Sequence, residues 1–195
     1  MRVIGGEFRS RRLQSMPGMD VRPTPDKIRE ALFDIIAPEI EGPEGEGIVF
    51  VDAYAGTGAV GIEALSRGAR HVIFIEKDRA AVQLIRGNLA SLGAEPRARV
   101  MHGNAALLLG GIEADIVFID PPYPKEREYR AALEALEARP PRLAIVQHST
   151  RRFQLANDYG ALQRTRIAKY GENTLSFFRT TAGSGREAEA EADRA

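Results

Sequence analysis

Five short apolar segments alternate with segments of helical periodicity, and this alternation constrains the fold of the chain more than any other feature. The apolar segments span residues 48–53, 71–76, 97–103, 115–120 and 142–149. The spacing of apolar residues and the glycines that follow it predict helices over 57–67, 78–92, 104–110 and 126–138. Apolar strands that alternate with helices form parallel sheets with helices on both faces. The sequence therefore predicts an α/β fold with a doubly wound sheet.

The two ends of the chain depart from this pattern. Residues 161–170 and 174–180, separated by Gly171-Glu172-Asn173, predict an antiparallel hairpin that brings the sheet to seven strands. Near the start, Thr24 is the expected N-cap of a helix, with Pro25 at its first position. We predict three parts: a basic N-terminal hairpin over 1–20, one α/β domain over 21–181, and a disordered acidic tail over 182–195.

Composition excludes several kinds of site. The chain has no cysteine, which excludes disulfides, thiolate metal sites and a cysteine nucleophile and is typical of a cytoplasmic protein. No apolar run reaches the roughly 18 residues that a membrane span requires. The three histidines lie far apart in the sequence, so we assign no metal site.

The net charge is zero, but residues 1–29 carry seven basic and three acidic side chains. Such a segment either binds nucleic acid or is a solvated surface.

A glycine-rich loop, VDAYAGTGAVG, follows the first apolar segment. Gly56, Gly58 and Gly61 match the pattern of dinucleotide-binding proteins, in which the first glycine follows the strand almost directly. Here three residues separate Asp52 from Gly56. An acidic residue at the strand end suits a ligand with an ammonium group better than a pyrophosphate. The spacing D-x-x-x-G-x-G resembles the signature of class I methyltransferases that use S-adenosylmethionine.

Polar residues also end the next two strands, where such folds bind ligands. Glu76 could accept hydrogen bonds from both ribose hydroxyls, and the amide of Asn104 could pair with the adenine edge. The alternatives are that Asp52 is only a cap, Glu76 only a surface charge, and Asn104 only the N-cap of a short helix. We predict that the cofactor pocket contains Asp52, Ala53, Tyr54, Gly56, Thr57, Gly58, Glu76, Lys77, Asn104 and Ala105.

The fourth apolar segment ends in Asp120-Pro121-Pro122-Tyr123. Each proline fixes its φ angle and removes a backbone donor, so the segment presents rigid acceptors: the Asp120 carboxylate and the Pro121 carbonyl. Two acceptors can hold the two hydrogens of an aromatic amino group and aim its lone pair at a methyl donor. Tyr123 could stack on the base, a contact worth roughly 1–3 kcal/mol. The alternative is a stiff loop that only ends the strand.

These motifs together resemble one family. Asp-Pro-Pro-Tyr is similar to the motif of amino-group methyltransferases that act on nucleic acids. RVIGGEFRSRRL, RPTPDKIREALFDII, VDAYAGTGAVGIEALSRGA and KYGENTLSFF resemble, in the same order, segments of the RsmD family of bacterial 16S rRNA guanine-N2 methyltransferases. The resemblance implies a Rossmann-like methyltransferase sheet and S-adenosylmethionine as cofactor, with S-adenosylhomocysteine as product. It implies methylation of the 2-amino group of one guanine within the assembling small ribosomal subunit.

The resemblance also implies roles for the N-terminal residues. Arg22 and Thr24 would lie over the cofactor pocket, and the basic hairpin would contact the rRNA backbone. The expected RNA contacts are Arg2, Arg9, Arg11, Arg12, Lys27 and Arg29. The family expectation is a monomer without metal or membrane attachment.

Three other readings remain open from the sequence. An adenine methyltransferase acting on DNA or RNA would use the same Asp-Pro-Pro-Tyr, although the DNA enzymes usually carry a further recognition domain. A protein or small-molecule methyltransferase would not need the basic N-terminal segment. A non-catalytic protein that binds a dinucleotide or RNA would not need both Asp120 and Glu76.

Overall fold

The computed structural model describes residues 1–15, 25–40, 46–122, 126–151 and 155–181. The helices are α1 (Asp26–Ile40), α2 (Ala59–Ser66), α3 (Arg79–Leu92), α4 (Ala105–Leu108) and α5 (Glu126–Ala135). The strands are β1 (Val49–Ala53), β2 (His71–Glu76), β3 (Ala98–His102), β4 (Ile116–Ile119), β5 (Leu143–Ser149), β6 (Asp158–Tyr159), β7 (Leu162–Tyr170) and β8 (Asn173–Thr180).

All of these strands belong to one sheet, in the order β3-β2-β1-β4-β5-β8-β7-β6. The first five pair in parallel, whereas β8, β7 and β6 are antiparallel additions beyond β5. The α/β fold and the antiparallel C-terminal hairpin predicted from the sequence are confirmed. The strand count was wrong, because β6 adds an eighth strand. Its two residues are too few to leave an alternating pattern.

Helices cover both faces of the sheet. Side chains of α1, α2 and α3 pack against one face, with Leu32, Ile62 and Ile85 fully buried or nearly so. On the other face α4 and α5 pack, with Tyr129 and Leu133 fully buried. The central strands are apolar on both sides because neither of their faces meets water.

The ends of α3 show how the sequence sets helix boundaries. The Asp78 side chain accepts a hydrogen bond from the Ala81 N–H at 2.8 Å, which caps the first turn. Gly93 ends the helix with a φ of 67°, a conformation that other residues rarely adopt. The hairpin turn between β7 and β8 is one residue shorter than predicted, because Asn173 pairs with Tyr170 and belongs to β8.

The N-terminal residues form a compact element that packs on α2 and α3. An antiparallel bridge joins Arg2 to Arg12, and the apolar side chains of Val3, Phe8 and Leu13 are buried in the core. Residues 2–12 thus form a hairpin-like turn, whereas the predicted extent of the basic hairpin to residue 20 stays a prediction. Its backbone is held by Glu63 of α2, whose carboxylate accepts from the N–H groups of Ile4 and Gly5, each at 2.8 Å.

Some sequence predictions lie outside the described residues. They are the Thr24 cap, the roles of Arg22 and Tyr123, and the disorder of the tail after residue 181. The division of the chain into hairpin, domain and tail stays a prediction. In the part of the chain that the structure describes, no helix is both long and apolar enough to cross a membrane.

Candidate active site

The register of the parallel strands brings polar side chains together at one edge of the sheet. Four residues lie side by side on neighbouring strands: Phe74, Asp52, Phe118 and Ile145. Because side chains alternate between the two faces, residues two positions further on return to the same face. Those positions are Glu76 at the end of β2, Asp120 just after β4, and Gln147 in β5.

A cavity of about 670 Å³ opens at this edge and is lined by all three of these side chains. Its volume is typical of a site for a ligand of drug or nucleoside size. Eleven of the sequence-predicted site residues line it: Asp52, Tyr54, Gly56, Thr57, Glu76, Lys77, Asn104, Ala105, Asp120, Pro121 and Pro122. The structure therefore brings the predicted cofactor residues and the predicted amine-binding residues into one cavity.

Two predicted pocket residues do not line the cavity. Ala53 is fully buried on the opposite face of the sheet, among residues that pack against α4 and α5. Neighbouring residues of a strand point to opposite faces, so the side chain of Ala53 points away from that of Asp52. Gly58 is the N-cap of α2, with a φ of 78° that turns the chain from the loop into the helix. Neither Ala53 nor Gly58 therefore forms part of the cavity wall.

Asp52 connects the sheet to the glycine loop. Only 2% of its surface is exposed, and its Oδ2 accepts a hydrogen bond from the Gly61 N–H in α2 at 2.8 Å. The pKa of Asp52 is raised to about 8, chiefly because burial disfavours the charged form. The Gly61 N–H opposes this rise, and the charges of Asp120 and Glu76 add to it. A cation beside Asp52 would favour its ionised form.

Glu76 is fixed by two backbone donors. Its Oε2 accepts from the Gly56 N–H and its Oε1 from the Asp78 N–H, each at 2.8 Å. A carboxylate oxygen can accept more than one hydrogen bond, so both oxygens can still receive hydroxyl groups of a ligand. Glu76 thereby also holds the glycine loop, because Gly56 belongs to that loop. The reading of Glu76 as only a surface charge is wrong.

Asn104 caps α4. Its Oδ1 accepts from the Ala106 N–H at 2.9 Å, so Asn104 is the N-cap of this helix. The side chain also lines the cavity. Its pairing with an adenine edge stays a prediction.

The residues after β4 form the far wall of the cavity. Pro121 is buried, and its carbonyl accepts from the hydroxyl of the fully buried Tyr129 at 3.5 Å, a weak contact. A carbonyl oxygen has two lone pairs, so this contact leaves one of them for another donor. Pro122 is exposed at the mouth.

Tyr54 and Glu128 form a contact that sequence reasoning missed. Tyr54 has a φ of 69°, a conformation that is uncommon for a residue with a side chain and clusters at functional sites. Its hydroxyl donates to Glu128 Oε2 at 3.2 Å, and burial together with the Glu128 charge raises the pKa of Tyr54. Glu128 lies in the first turns of α5, where an acidic residue reads as an ordinary partner of the helix dipole.

The cavity wall beyond Asp120 was also missed. Gln147, Ser149, Arg151, Glu172 and Asn173 line it and come from β5, from the start of β8 and from the residues beside those two strands. No local motif marks these residues, because β8 reaches β5 only through an antiparallel pairing near the end of the chain. The signal that could have found them is the interruption of an apolar strand by Gln147.

Five of the six residues predicted to contact RNA are exposed: Arg2, Arg9, Arg11, Arg12 and Lys27. Arg29 is a correction. Its side chain is fully buried, donates to the Arg2 carbonyl at 2.7 Å and lies 3.6 Å from the buried Glu63 carboxylate. It holds the N-terminal hairpin against the domain and is not presented to an RNA backbone. Counting charges along the sequence could not show which way this side chain points.

The carboxyl groups that line the cavity suit an organic cation that carries hydroxyl groups. Three carboxyl groups, those of Asp52, Glu76 and Asp120, line it together with the glycine loop. Glu76 retains acceptor capacity for hydroxyls, and a cation beside Asp52 would favour the ionised form of that carboxyl. Among the described residues no group of three or more acidic or histidine side chains is arranged to hold a metal ion.

Comparison with known proteins gives a family and relatives. The family model described as "Conserved hypothetical protein 95" matches residues 1–179. A Bacillus subtilis protein named "Putative rRNA methyltransferase YlbH" is 34% identical over 188 residues, covering 92% of this chain and 98% of that protein. The Escherichia coli K12 "Ribosomal RNA small subunit methyltransferase D" is 43% identical over 125 residues, covering 63% of this chain and 60% of that protein.

One solved structure is similar over most of the chain. The structure titled "Putative methyltransferase yhhF from Escherichia coli" superposes with a TM-score of 0.80 at 31% identity. The superposition covers 93% of this chain and 98% of the other. The fold is therefore that of a Rossmann-like methyltransferase over nearly the whole matched length.

Proposed function

This chain belongs to the family described as "Conserved hypothetical protein 95", the RsmD-like methyltransferases, and we propose that it methylates a guanine of small-subunit rRNA on its 2-amino group. S-adenosylmethionine is the methyl donor. One observation carries the proposal: Asp120, Pro121 and Pro122 line the same cavity as the Asp52, Gly56 and Glu76 set. A substrate amine and a nucleoside-bearing cofactor can therefore meet in one cavity.

The fit of the cavity to the cofactor supports this proposal. Glu76 would receive the ribose hydroxyls, and Asp52 would receive the ammonium group directly or through water. The backbone at Gly56 allows close approach because it has no side chain. When bound, S-adenosylmethionine supplies a methyl group on a sulfonium that an amine can attack directly. Most of the catalysis is then positioning.

The residues after β4 do that positioning. The Asp120 carboxylate and the Pro121 carbonyl accept the two hydrogens of the guanine 2-amino group. These two hydrogen bonds favour a pyramidal nitrogen, whose lone pair is otherwise delocalised into the ring. The two prolines stiffen the arrangement by fixing their φ angles, and the fully buried Tyr129 lies against the Pro121 carbonyl. Asp120 does not remove a proton before transfer; the extra proton leaves the positively charged product amine afterwards. Stacking of Tyr123 on the base stays a prediction, because Tyr123 lies outside the described residues.

The rRNA substrate follows from the names of the relatives and from the exposed basic side chains of the N-terminal hairpin. The target guanine must leave its surroundings to place its amine in the cavity. We propose that the protein acts in the cytoplasm as a monomer without metal. Light scattering on the purified protein tests the oligomeric state.

The test is a methylation assay with a matched pair of variants. The protein is incubated with tritiated S-adenosylmethionine and small ribosomal subunits from cells that lack the enzyme, and the labelled nucleoside is identified after digestion. Asp120→Ala removes the amine acceptor. Asp115→Ala removes a carboxylate just before β4, at the opposite end of this strand from Asp120, where it accepts from the Val49 N–H. Activity is compared per folded molecule, together with binding of S-adenosylhomocysteine.

We expect label in N2-methylguanosine, a loss of about a hundredfold or more in Asp120→Ala, and near-normal activity in Asp115→Ala. S-adenosylhomocysteine should still bind both variants. Label in methyladenosine would move the protein to the adenine methyltransferases. Absence of any label, despite cofactor binding, would reject the small subunit as the acceptor.

A further inference from the structure

One buried polar atom in the cavity wall has no hydrogen-bond partner among the described residues. Gln147 is 4% exposed, lines the cavity, and its Oε1 accepts no hydrogen bond within the part of the chain that the structure describes. An acceptor left unpaired in a buried place destabilises a folded protein. Such an atom in a site wall is explained if a ligand supplies the donor.

The position of Gln147 identifies which ligand. Ile119 pairs with Val146 in the parallel register, so the next residues along the two strands, Asp120 and Gln147, are neighbours. Adjacent strands are about 4.8 Å apart, a distance that lets two side chains contact neighbouring atoms of one ring. Both residues point to the face that carries Phe118 and Ile145.

The order of the strands places Gln147 on the side away from the cofactor residues. Glu76 lies on β2, and the glycine loop follows β1, whereas Asp120 follows β4 and Gln147 lies on β5. If the amine is held at Asp120, the rest of the acceptor ring has to extend over β5 and β8. There Ser149 and Asn173, which face each other across β5 and β8, continue a polar wall.

We propose that Gln147 is a specificity-determining residue whose Oε1 accepts a hydrogen bond from the N1–H of the target guanine. The inference rests on the proposed function, because it takes the amine at Asp120 to be the 2-amino group. In guanine the atom next to that amine on the Watson–Crick edge is N1–H, a donor. In adenine the atom next to the amine is N1 without hydrogen, an acceptor that would face Oε1 unfavourably. Enzymes that extrude a base commonly read this edge.

A structural role for Gln147 predicts a different result from a recognition role. Gln147→Met keeps the length and the unbranched shape of the side chain but removes the unpaired acceptor. If Gln147 only fills space, the variant keeps its activity. If Gln147 recognises the base, the variant keeps or gains thermal stability, since a buried unsatisfied atom is gone, and loses activity.

The experiment measures kcat/KM with tritiated S-adenosylmethionine for wild type, Gln147→Met and the control Gln163→Met. Gln163 is exposed on β7 and does not line the cavity. Two rRNA substrates are compared. One carries its natural guanine at the position that the wild type labels, and the other is the same rRNA ligated to carry 2-aminopurine there. 2-Aminopurine keeps the 2-amino group but has no N1–H.

We expect kcat/KM of Gln147→Met on natural rRNA to fall about tenfold, the value of roughly one hydrogen bond. S-adenosylhomocysteine affinity and the melting temperature should not fall, and Gln163→Met should match the wild type. The ratio of kcat/KM on guanine rRNA to kcat/KM on 2-aminopurine rRNA should be about tenfold larger for the wild type than for Gln147→Met. The contribution of O6, also absent from 2-aminopurine, cancels in that ratio.

Two results would overturn the inference while the proposed function stands: unchanged kcat/KM in Gln147→Met, or an equal 2-aminopurine penalty in both enzymes. If Gln147→Met does not fold, Gln147→Leu takes its place in the same comparison of the two rRNAs. For the wild type, a fall in kcat/KM of less than about threefold on 2-aminopurine contradicts recognition of N1–H. If the wild type produces no N2-methylguanosine from natural rRNA, the proposed function fails and this inference fails with it.

Discussion

The carboxyl group of Asp52 shares its cavity with the carboxylates of Glu76 and Asp120. Burial and these two charges keep its pKa near 8, so at neutral pH the folded protein holds a proton on Asp52. An ammonium group that binds beside it would favour ionisation and release this proton. The residue can therefore provide a charge for the cofactor without carrying an unpaired buried charge in its absence.

The raised pKa of Asp52 predicts a pH dependence of stability. Below about pH 4 the carboxyl is protonated in both the folded and the unfolded chain. Between the ordinary aspartate pKa of 3.8 and the raised pKa of about 8, the folded chain holds a proton that the unfolded chain releases. The free energy of unfolding therefore decreases as pH rises through this window, and the full penalty is present above about pH 8.

Asp52→Asn should remove this dependence, because its amide oxygen still accepts from the Gly61 N–H but cannot ionise. The measurement is denaturant unfolding of wild type and variant at pH 5 and pH 8.5 without ligand. The stability of the variant relative to the wild type should be greater at the higher pH. An equal difference at both values would show that Asp52 titrates normally.

At the level of elements, the glycine loop and α2 pack directly on β2. A Cβ added to Gly61 would lie 2.3 Å from a carbon of the Phe74 ring, closer than real Cβ atoms come. The absence of a side chain thus lets α2 approach the sheet and bring the Gly61 N–H to Asp52. The lack of a side chain at Gly61 therefore determines both the packing of α2 and the hydrogen bond that Asp52 accepts.

Gly61→Ala should destabilise the protein by about 1–3 kcal/mol, because Phe74 is fully buried and has little space to move. The matched control is Gly87→Ala on the exposed side of α3, where the nearest atom to the new Cβ is 3.9 Å away. That change should stabilise the protein by about 0.4–1 kcal/mol, since alanine favours a helix more than glycine does. Denaturant unfolding measures both, and similar effects of the two changes would contradict the packing argument.

At the scale of the whole molecule, the N-terminal hairpin lies on the face of the sheet that α1, α2 and α3 cover. Glu63 and Arg29, both fully buried, bind the backbone of the hairpin to the domain. The basic side chains of the hairpin therefore lie on a fixed surface. A zero net charge for the chain conceals this local basic surface. Phosphate contacts made by these side chains would be sensitive to salt.

Arg9→Ala/Arg12→Ala should weaken binding to small-subunit rRNA and flatten its salt dependence. If both side chains contact phosphates of a single strand, the slope of log affinity against log salt changes by about 1.4. The control is Arg130→Ala/Arg139→Ala, in and after α5 on the opposite side of the sheet. Fluorescence anisotropy at several salt concentrations measures both. Equal slopes for the two double variants would mean that the hairpin does not contact the RNA backbone.

Local patterns were sufficient for much of the fold and for part of the site. The periodicity of apolar residues predicted each helix and each parallel strand, because burial on one or two faces leaves a regular pattern. Asp52, Gly56, Glu76 and Asp120 were identified because each lies beside the end of a predicted strand, and the carboxyl ends of parallel strands meet at one edge.

The tertiary structure decided what depends on direction and on distant pairing. Arg29 is one of several arginines in the sequence, and only the packing of α1 shows that it is buried against Glu63. Gln147 meets Asp120 because β5 pairs with β4, and its wall is completed by β8, which returns antiparallel from the end of the chain. A sequence records which residues have a regular local environment, whereas the partner of a single polar side chain is set by the register between strands.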